Sequence, residues 1–499
     1  MATNTSLDPI GPKEFGEIQA RHLLNRAGFG GTPAQIRALT GMGVKRAVDQ
    51  IVDYQSLPTT DLSDAAVDPD IVKPPTAEQR RMMQQARRDN SDNEELRRQF
   101  QSMRRVTQRT DRQQYRELKR WWLARMIATP RPLEEKLTLL WHSHFASNYR
   151  TVRDSYLMFK QNELFRHHAQ GSFADLAGDI VHDPAMIRFL DNHNNHRRKP
   201  NENLARELME LFTLGEGNYT EKDIQEGARA LTGFTFRDND FQFVERMHDR
   251  RKKTILGQTG DLDGNDFVRI LLNQKACPRF ISFKIYRHFV ADVDDDQSQK
   301  DAVTSEAIRK IAGLLVRSRY ELGPVLKRLF RSRHFYDPNV IGNKIKSPAQ
   351  LVVGTVRMLN TPLRDLNTLA ESMALMGQNL LDPPSVAGWS GGRSWINTST
   401  LFIRQNLCTY LITGKRTGDR AWRRNQVAYD PMFLVEGLPA RSPEMVVDHL
   451  LTTLIARPVP SPQRDELVAL IKQRRGIVTT DTVIALLLLI TAMPEYQLC

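Results

Sequence analysis

Asn203, Glu207 and Glu210 stand at i, i+4 and i+7, a spacing that aligns three polar side chains on one helical stripe. Leu204, Leu208 and Leu211 repeat it on the neighbouring stripe, so one face can pack while the other presents carboxylates. Two nearby carboxylates can divide into an acid and a base through unequal pKa values. With an imidazole beside them they can instead hold a divalent metal such as zinc, manganese or iron, because helical bundles build such sites from carboxylates at i, i+3. His144 and Asp191 complete the expected cluster, with His144, Glu207 and Glu210 as candidate metal ligands. Asn203 and Arg206 are its substrate-binding neighbours. The competing reading is structural: Glu207 and Glu210 pair with Arg206 or Arg229, and Asp191 and Asn201 to Asn203 cap turns.

Other residues extend the polar chemistry. His248 beside Asp249 could act as a base oriented by its neighbour, although adjacent residues in a hairpin often point apart. Lys253 or Arg206 would stabilise anionic charge. Lys284, with Lys344 and Lys346, could bind an anion, and Trp389 and Trp395 could stack on a sugar ring or simply bury area. Seven of the twelve histidines fall between His142 and His196, a density that favours a local site. His142 and His144, at i and i+2, would share a face only in an extended segment, so one of the two is expected inside. There is no HExxH helix or Walker loop, which argues against several common hydrolase classes.

The elements that must position these groups read as helices. Thr32-Pro33, Ser347-Pro348, Ser442-Pro443 and Ser461-Pro462 pair a capping hydroxyl with a first-turn proline. A central helix opens after Pro200, with Asn201 as its cap and Glu202 and Arg206 as an i, i+4 pair, and it stops at Gly215-Glu-Gly217. Thr220 to Asp223 resembles a capping box that opens the second arm of a helical hairpin. Only Thr235 to Gly264 predicts sheet, as two short strands around a turn. The fold class is therefore mainly α, a multi-helical bundle-like architecture with a small β-hairpin insertion near residues 235–264. Four regions are expected: an N-terminal helical segment at 1–56, a Pro/Asp loop and basic charged arm at 57–118, a core domain carrying the pocket at 119–414, and a C-terminal helical subdomain at 415–499. The Leu381 to Thr398 loop, rich in Pro, Gly and Trp, is expected to wall the pocket.

Lys and Arg number 71 against 58 Asp and Glu, a net charge of +13. An excess of that sign favours an anionic partner, such as an anionic polymer, or simple solubility. Much of it comes from Arg80 to Arg120, but that stretch has no interleaved aromatics and no recognised motif, which argues against nucleic acid. Cys277, Cys408 and Cys499 share no metal-binding or disulfide spacing. The first residues lack the basic and apolar regions of a signal peptide, so the chain reads as cytoplasmic, with export on a partner as the alternative. The longest apolar run, Val483 to Met493, is too short to span a membrane.

Several long runs carry a likeness to a known family: HLLNRAGFG, LWHSHFASN, NELFRHHAQGSFADL, PNENLARELMELFTLGEGNYTEKDIQEGARALTGF, MHDRRKKTILGQTG, FISFKIYRHFV and DPPSVAGWSGGRSWIN. In these the chain resembles the bacterial family called domain of unknown function 1800, over nearly its full length. The resemblance implies no established catalytic residue. It does imply a partner, since similar proteins are commonly encoded beside sulfatase-like or phosphatase-like exported proteins. It also implies a histidine in many members where this chain has Phe212. The function expected is thus a hydrolytic or metal-assisted enzyme with a carboxylate and histidine pocket, or else a non-catalytic binding or assembly protein acting with an exported sulfatase-like partner.

Overall fold

Thr32 and Pro33 do open a long helix: the threonine hydroxyl accepts from the Gln35 amide and the proline occupies the first turn of Pro33–Val52. The same device starts Pro348–Leu359 at Ser347 and Pro443–Leu454 at Ser442. At Ser461 it does not. There Pro460 is the residue before the helix and Ser461 is already helical, with no side-chain cap. The computed structural model describes residues 5–62, 94–294, 300–415, 428–439 and 441–499, with positions 73, 74, 76, 78 and 81 between. Of the described residues 62% are helical and 5% are strand. Most of the expected Pro/Asp loop and the start of the basic arm lie outside the described residues. The rest of the arm is the first part of helix Glu94–Ala128, where Arg104, Arg105 and Arg109 are exposed.

Among the described residues there are four strands rather than two, in two separate antiparallel hairpins. Phe234–Arg237 pairs with Asp240–Phe243, and Lys253–Ile255 with Gln258–Gly260. Among the described residues no helix is long and apolar enough to cross a membrane.

Two hydrophobic cores organise the helices. One gathers Leu23, Leu137, Trp141, Phe173, Phe212 and Ile285. The other gathers Trp122, Leu139, Val352, Trp389, Leu407 and Leu486. Helix Pro132–His144 is buried along nearly its whole length and contributes to both, Leu137, Leu140 and Trp141 to the first and Leu139 to the second. It is helical through His142 and His144, and both are interior where only one was expected inside. They face different neighbours: His142 lies against Trp122 and Trp389, His144 against Phe145 and Phe212. On this helix Glu135, fully buried, accepts from Trp122 Nε1 at 3.0 Å and from Arg166 at 2.8 and 3.0 Å, and also pairs with Arg125. A buried carboxylate is stable only when its lone pairs are met in this way.

The central helix also departs from expectation. Asn203–Glu207 is α-helical, but Leu208–Thr213 is a π-helix in which the Leu214 amide reaches back to Met209. The Thr213 hydroxyl bonds the Leu208 carbonyl at 2.5 Å and holds the wider turn. Gly215 and Gly217 then adopt positive φ of 79° and 81°, ending the helix where glycine was expected to end it.

Candidate functional site

A cavity of about 150 Å³ lies where the two cores meet. Helix Glu17–Ala27 supplies Asn25 and Arg26 from its last turn. Helix Pro132–His144 supplies Lys136, Ser143 and His144, and helix Ala276–Phe289 supplies Lys284, Arg287 and His288. Asp292, Lys344 and Gln350 close one side, and the loop through Trp389 and Trp395 closes the other. That loop is fixed by close approach. Gly388 has φ 78°, and a Cβ there would overlap the Ser143 carbonyl oxygen. Arg287 donates to the Ser390 carbonyl, and the Trp389 amide approaches Ser143 Oγ at 3.5 Å. Ala387 and Ser390, both exposed, mark the mouth.

The lining is cationic. Arg26, Lys136, Lys284, Arg287 and Lys344 face a single side-chain carboxylate, Asp292. Lys344 pairs with Asp292 and donates to the Arg287 carbonyl at 2.8 Å. Arg26 is held by backbone oxygens instead, Val290 at 2.9 Å and Val340 at 3.0 Å. Lys136 donates to the neutral amide oxygen of Gln350 and lies 5.0 Å from the centre of the Phe29 ring. Burial pushes its ammonium down to about 7; Cys499 opposes this, and Lys344 and Arg26 add to it.

His144 Nε2 is 3.0 Å from the Phe212 carbonyl. A carbonyl only accepts, so Nε2 carries the hydrogen and Nδ1 keeps its lone pair. Burial, then Lys284, push the ring down to about 3, so it is neutral. His288 is held well below its ordinary value by burial and by Lys136 and Lys344, with its backbone partner at Lys136. Six buried polar atoms of the lining have no protein partner: Asn25 Oδ1, Arg26 Nε, His144 Nδ1, His288 Nε2, Gln350 Nε2 and Trp389 Nε1. Buried polar groups are rarely left unpaired, so their concentration around one space marks it for a polar guest.

The cavity brings together only part of the expected site. His144, Lys284, Trp389 and Trp395 line it, whereas Asp191, Asn203, Arg206, Glu207, Glu210, His248 and Lys253 do not. Glu207 and Glu210 are half-buried neighbours. Burial and the Glu210 charge raise the Glu207 carboxyl, and Glu210 accepts from the Tyr219 hydroxyl at 2.9 Å. Among the described residues neither forms an ion pair with an arginine: Arg206 binds Glu202 and Glu221, and Arg229 binds Glu226 and Asp249. Asp191 is exposed, with φ 56° at a turn, and Asn203 is exposed at the helix start. His248 is buried with Nδ1 2.8 Å from the Thr232 carbonyl. Asp249 turns away from it to bind Arg229 and Arg251, and these two arginines hold its carboxyl well below the usual range. Lys253 is buried 3.3 Å from Asp261.

Among the described residues no group of three or more His, Cys, Asp and Glu side chains is arranged to hold a metal ion. The described residues therefore do not fit a divalent metal on His144, Glu207 and Glu210.

A family model described as a protein of unknown function, DUF1800, matches residues 22–498. The chain belongs to the DUF1800 family. No curated protein and no solved structure matches it. In this DUF1800 chain, four of the runs that carry the likeness meet at the cavity, those containing Asn25 and Arg26, Ser143 and His144, Lys284 to His288, and Trp389 to Trp395. Arg26, Lys136, Arg287, His288 and Gln350 are lining residues that sequence reasoning missed. The signal for Lys136 was present: at i, i+4 and i+8 with Leu140 and His144, it is a lone lysine on one stripe of a strongly apolar helix.

Proposed function

We propose that this protein binds a small oxyanion, or a ligand with an oxyanionic end, in the cationic cavity between its two cores. One observation carries the reading: five cationic side chains and one carboxylate line a space bordered by six unpartnered buried polar atoms. Arg26 and Lys136 are hydrogen-bonded by neutral oxygens rather than by a carboxylate side chain, with Cys499 and Asp292 as negative neighbours of Arg26 and Cys499 as that of Lys136. Cations fixed in a dry cleft bind an anion more strongly than solvated ones, because the ligand replaces water without reorganising the site.

Hydrolysis of an ester of that oxyanion is the catalytic form of the same reading. It is favoured by Lys136, whose proton affinity sits near neutral pH, where a general acid or base works best. A role beside a partner protein, or on an anionic polymer, has a different support: a wide, open depression lined by Arg197, Arg198, Arg246, Arg250 and Arg251 against Glu245 and Asp249.

Isothermal titration of the full chain with sulfate tests the primary reading. Saturable binding is expected, and it should weaken at least tenfold in both Lys136→Met and Lys344→Met. Failure of the wild type to bind sulfate, phosphate or acetate at millimolar concentrations would overturn it. Turnover of p-nitrophenyl phosphate or sulfate, lost in Lys136→Met, would separate catalysis from binding alone.

A further inference from the structure

The cavity offers hydrogen-bond acceptors as well as cations, and a simple oxyanion cannot satisfy both. Asn25 Oδ1, His144 Nδ1 and His288 Nε2 are buried, unpartnered and carried by lining residues. Each is an acceptor. For His144 the Phe212 carbonyl fixes this, since it takes the only ring hydrogen. Both rings are kept neutral by burial and by the surrounding cations. Sulfate would set its negative oxygens beside these lone pairs. A hydroxyl would instead donate to one of them, while Lys136, Lys344 and the Trp389 indole N–H meet the anionic group.

Size narrows the class. A cavity near 150 Å³ holds about one benzene-sized guest, so charge and hydroxyl must sit within a few bonds of each other. Leu139, Leu140, Ile345 and the two indoles leave an apolar wall for a short carbon skeleton. Building on the anion-binding reading, we infer that the ligand is a small hydroxylated oxyanion, a hydroxy acid of roughly two to four carbons or the equivalent end of a larger molecule entering past Ala387 and Ser390.

Matched ligands test it on the intact chain at pH 7. Glycerate and lactate keep the carboxylate of propionate and add hydroxyls, glycerol keeps hydroxyls without charge, and glycerol 3-phosphate exchanges carboxylate for phosphate. The expected result is that glycerate or glycerol 3-phosphate binds at least tenfold more tightly than propionate, with glycerol not binding. Comparison of those two then decides which oxyanion is taken. Propionate and glycerate binding equally, with glycerol 3-phosphate no tighter, would overturn the hydroxyl inference and leave the anion reading standing. Binding by no anion would remove both. Asn25→Leu should shrink the glycerate-to-propionate ratio while propionate still binds, which also reports that the variant is folded. In parallel, the 15N resonance of His144 Nδ1 should move toward its hydrogen-bonded position with glycerate and not with propionate. An unmoved resonance under saturating glycerate would exclude His144 as the acceptor and count against the inference.

Discussion

Raising the pH should weaken anion binding about tenfold per unit above 7, with a slope that belongs to Lys136. In the free protein burial pushes the Lys136 ammonium down to about 7, with Cys499 opposing the shift and Lys344 and Arg26 adding to it, while Asp292 is paired with Lys344 rather than with it. An anion in the cavity restores its proton. At pH 8 about nine molecules in ten would have to take up a proton on binding, and each further unit adds about 1.4 kcal/mol to that cost until the pKa of the complex is reached. Sulfate is the right probe because its own charge is constant from pH 6 to 9. His144 is held at about 3 and His288 well below its ordinary value, so neither ring titrates in that window. Calorimetry in HEPES and in Tris at pH 8 should give an uptake near one proton per sulfate. Lys136→Met should bind more weakly at pH 6 and lose most of the slope, and Lys344→Met separates any share from that second depressed lysine. The stability of the ligand-free protein should move the other way. A lysine whose folded pKa lies below its unfolded value binds fewer protons when folded, so its contribution to stability rises with pH between about 7 and 10.5. Wild-type sulfate affinity that stays flat from pH 6 to 9 would refute the reasoning.

Glu135→Ala should cost about 3–5 kcal/mol in urea unfolding, because it removes the buried carboxylate shared by Arg166 and Arg125 and leaves the Trp122 indole N–H unpaired, with Glu163 and Asn162 still on Arg166; a loss under 1 kcal/mol would show that the surroundings of Glu135 are wetter than its burial implies. Gly388→Ala combines positive φ with overlap at the Ser143 carbonyl, so it should destabilise by more than about 1 kcal/mol and weaken sulfate binding by displacing the Trp389 loop; unchanged affinity would detach that loop from the site. Glu207→Gln should leave sulfate affinity within twofold, since Glu207 does not line the cavity. Its raised carboxyl also sets the sign of a stability effect. A carboxylate with a raised folded pKa contributes less stability as pH rises through that value, so the Gln variant should gain in melting temperature at pH 8 relative to pH 4, and a loss at pH 8 would contradict the burial argument.

The helical architecture was legible because its signals are local. Thr32, Ser347 and Thr220 each cap the helix they were expected to cap, and Glu202 pairs with Arg206 one turn on at 3.2 Å. The heavy anchors Trp121, Trp122, Leu137 and Trp141 are all buried. What failed is what depends on distant segments. Carboxylates at i and i+3 show that two groups are near each other, but not what they face. Seven histidines in one stretch end in unrelated settings, His168 paired with Asp179, His182 stacked on Phe234 and His144 at the cavity. Asn25, Lys136, His288 and Gln350 are separated by more than a hundred residues at two of their three intervals, and no periodicity joins them. The π-turn at Leu208–Thr213 was invisible for a related reason. It is stabilised by one hydroxyl bonding five residues back, and the leucine and glutamate pattern around it still reads as an ordinary helix.

That π-turn gives the carboxylate helix a part in the site without placing a carboxylate there. The Phe212 carbonyl belongs to its last residues and accepts the His144 Nε2 hydrogen, which leaves Nδ1 as the lone pair at the cavity. The Phe212 side chain does something separate, packing edge-on against Phe145 at 5.1 Å inside the first core. A backbone carbonyl is supplied by any residue, so the tautomer of His144 does not depend on what side chain stands at 212. A histidine placed at 212 would keep this hydrogen bond and add a second imidazole about 6 Å from the first. In this chain phenylalanine makes that neighbour purely apolar. The effect is to keep His144 dry, neutral and an acceptor, which is the state the proposed hydroxylated ligand requires.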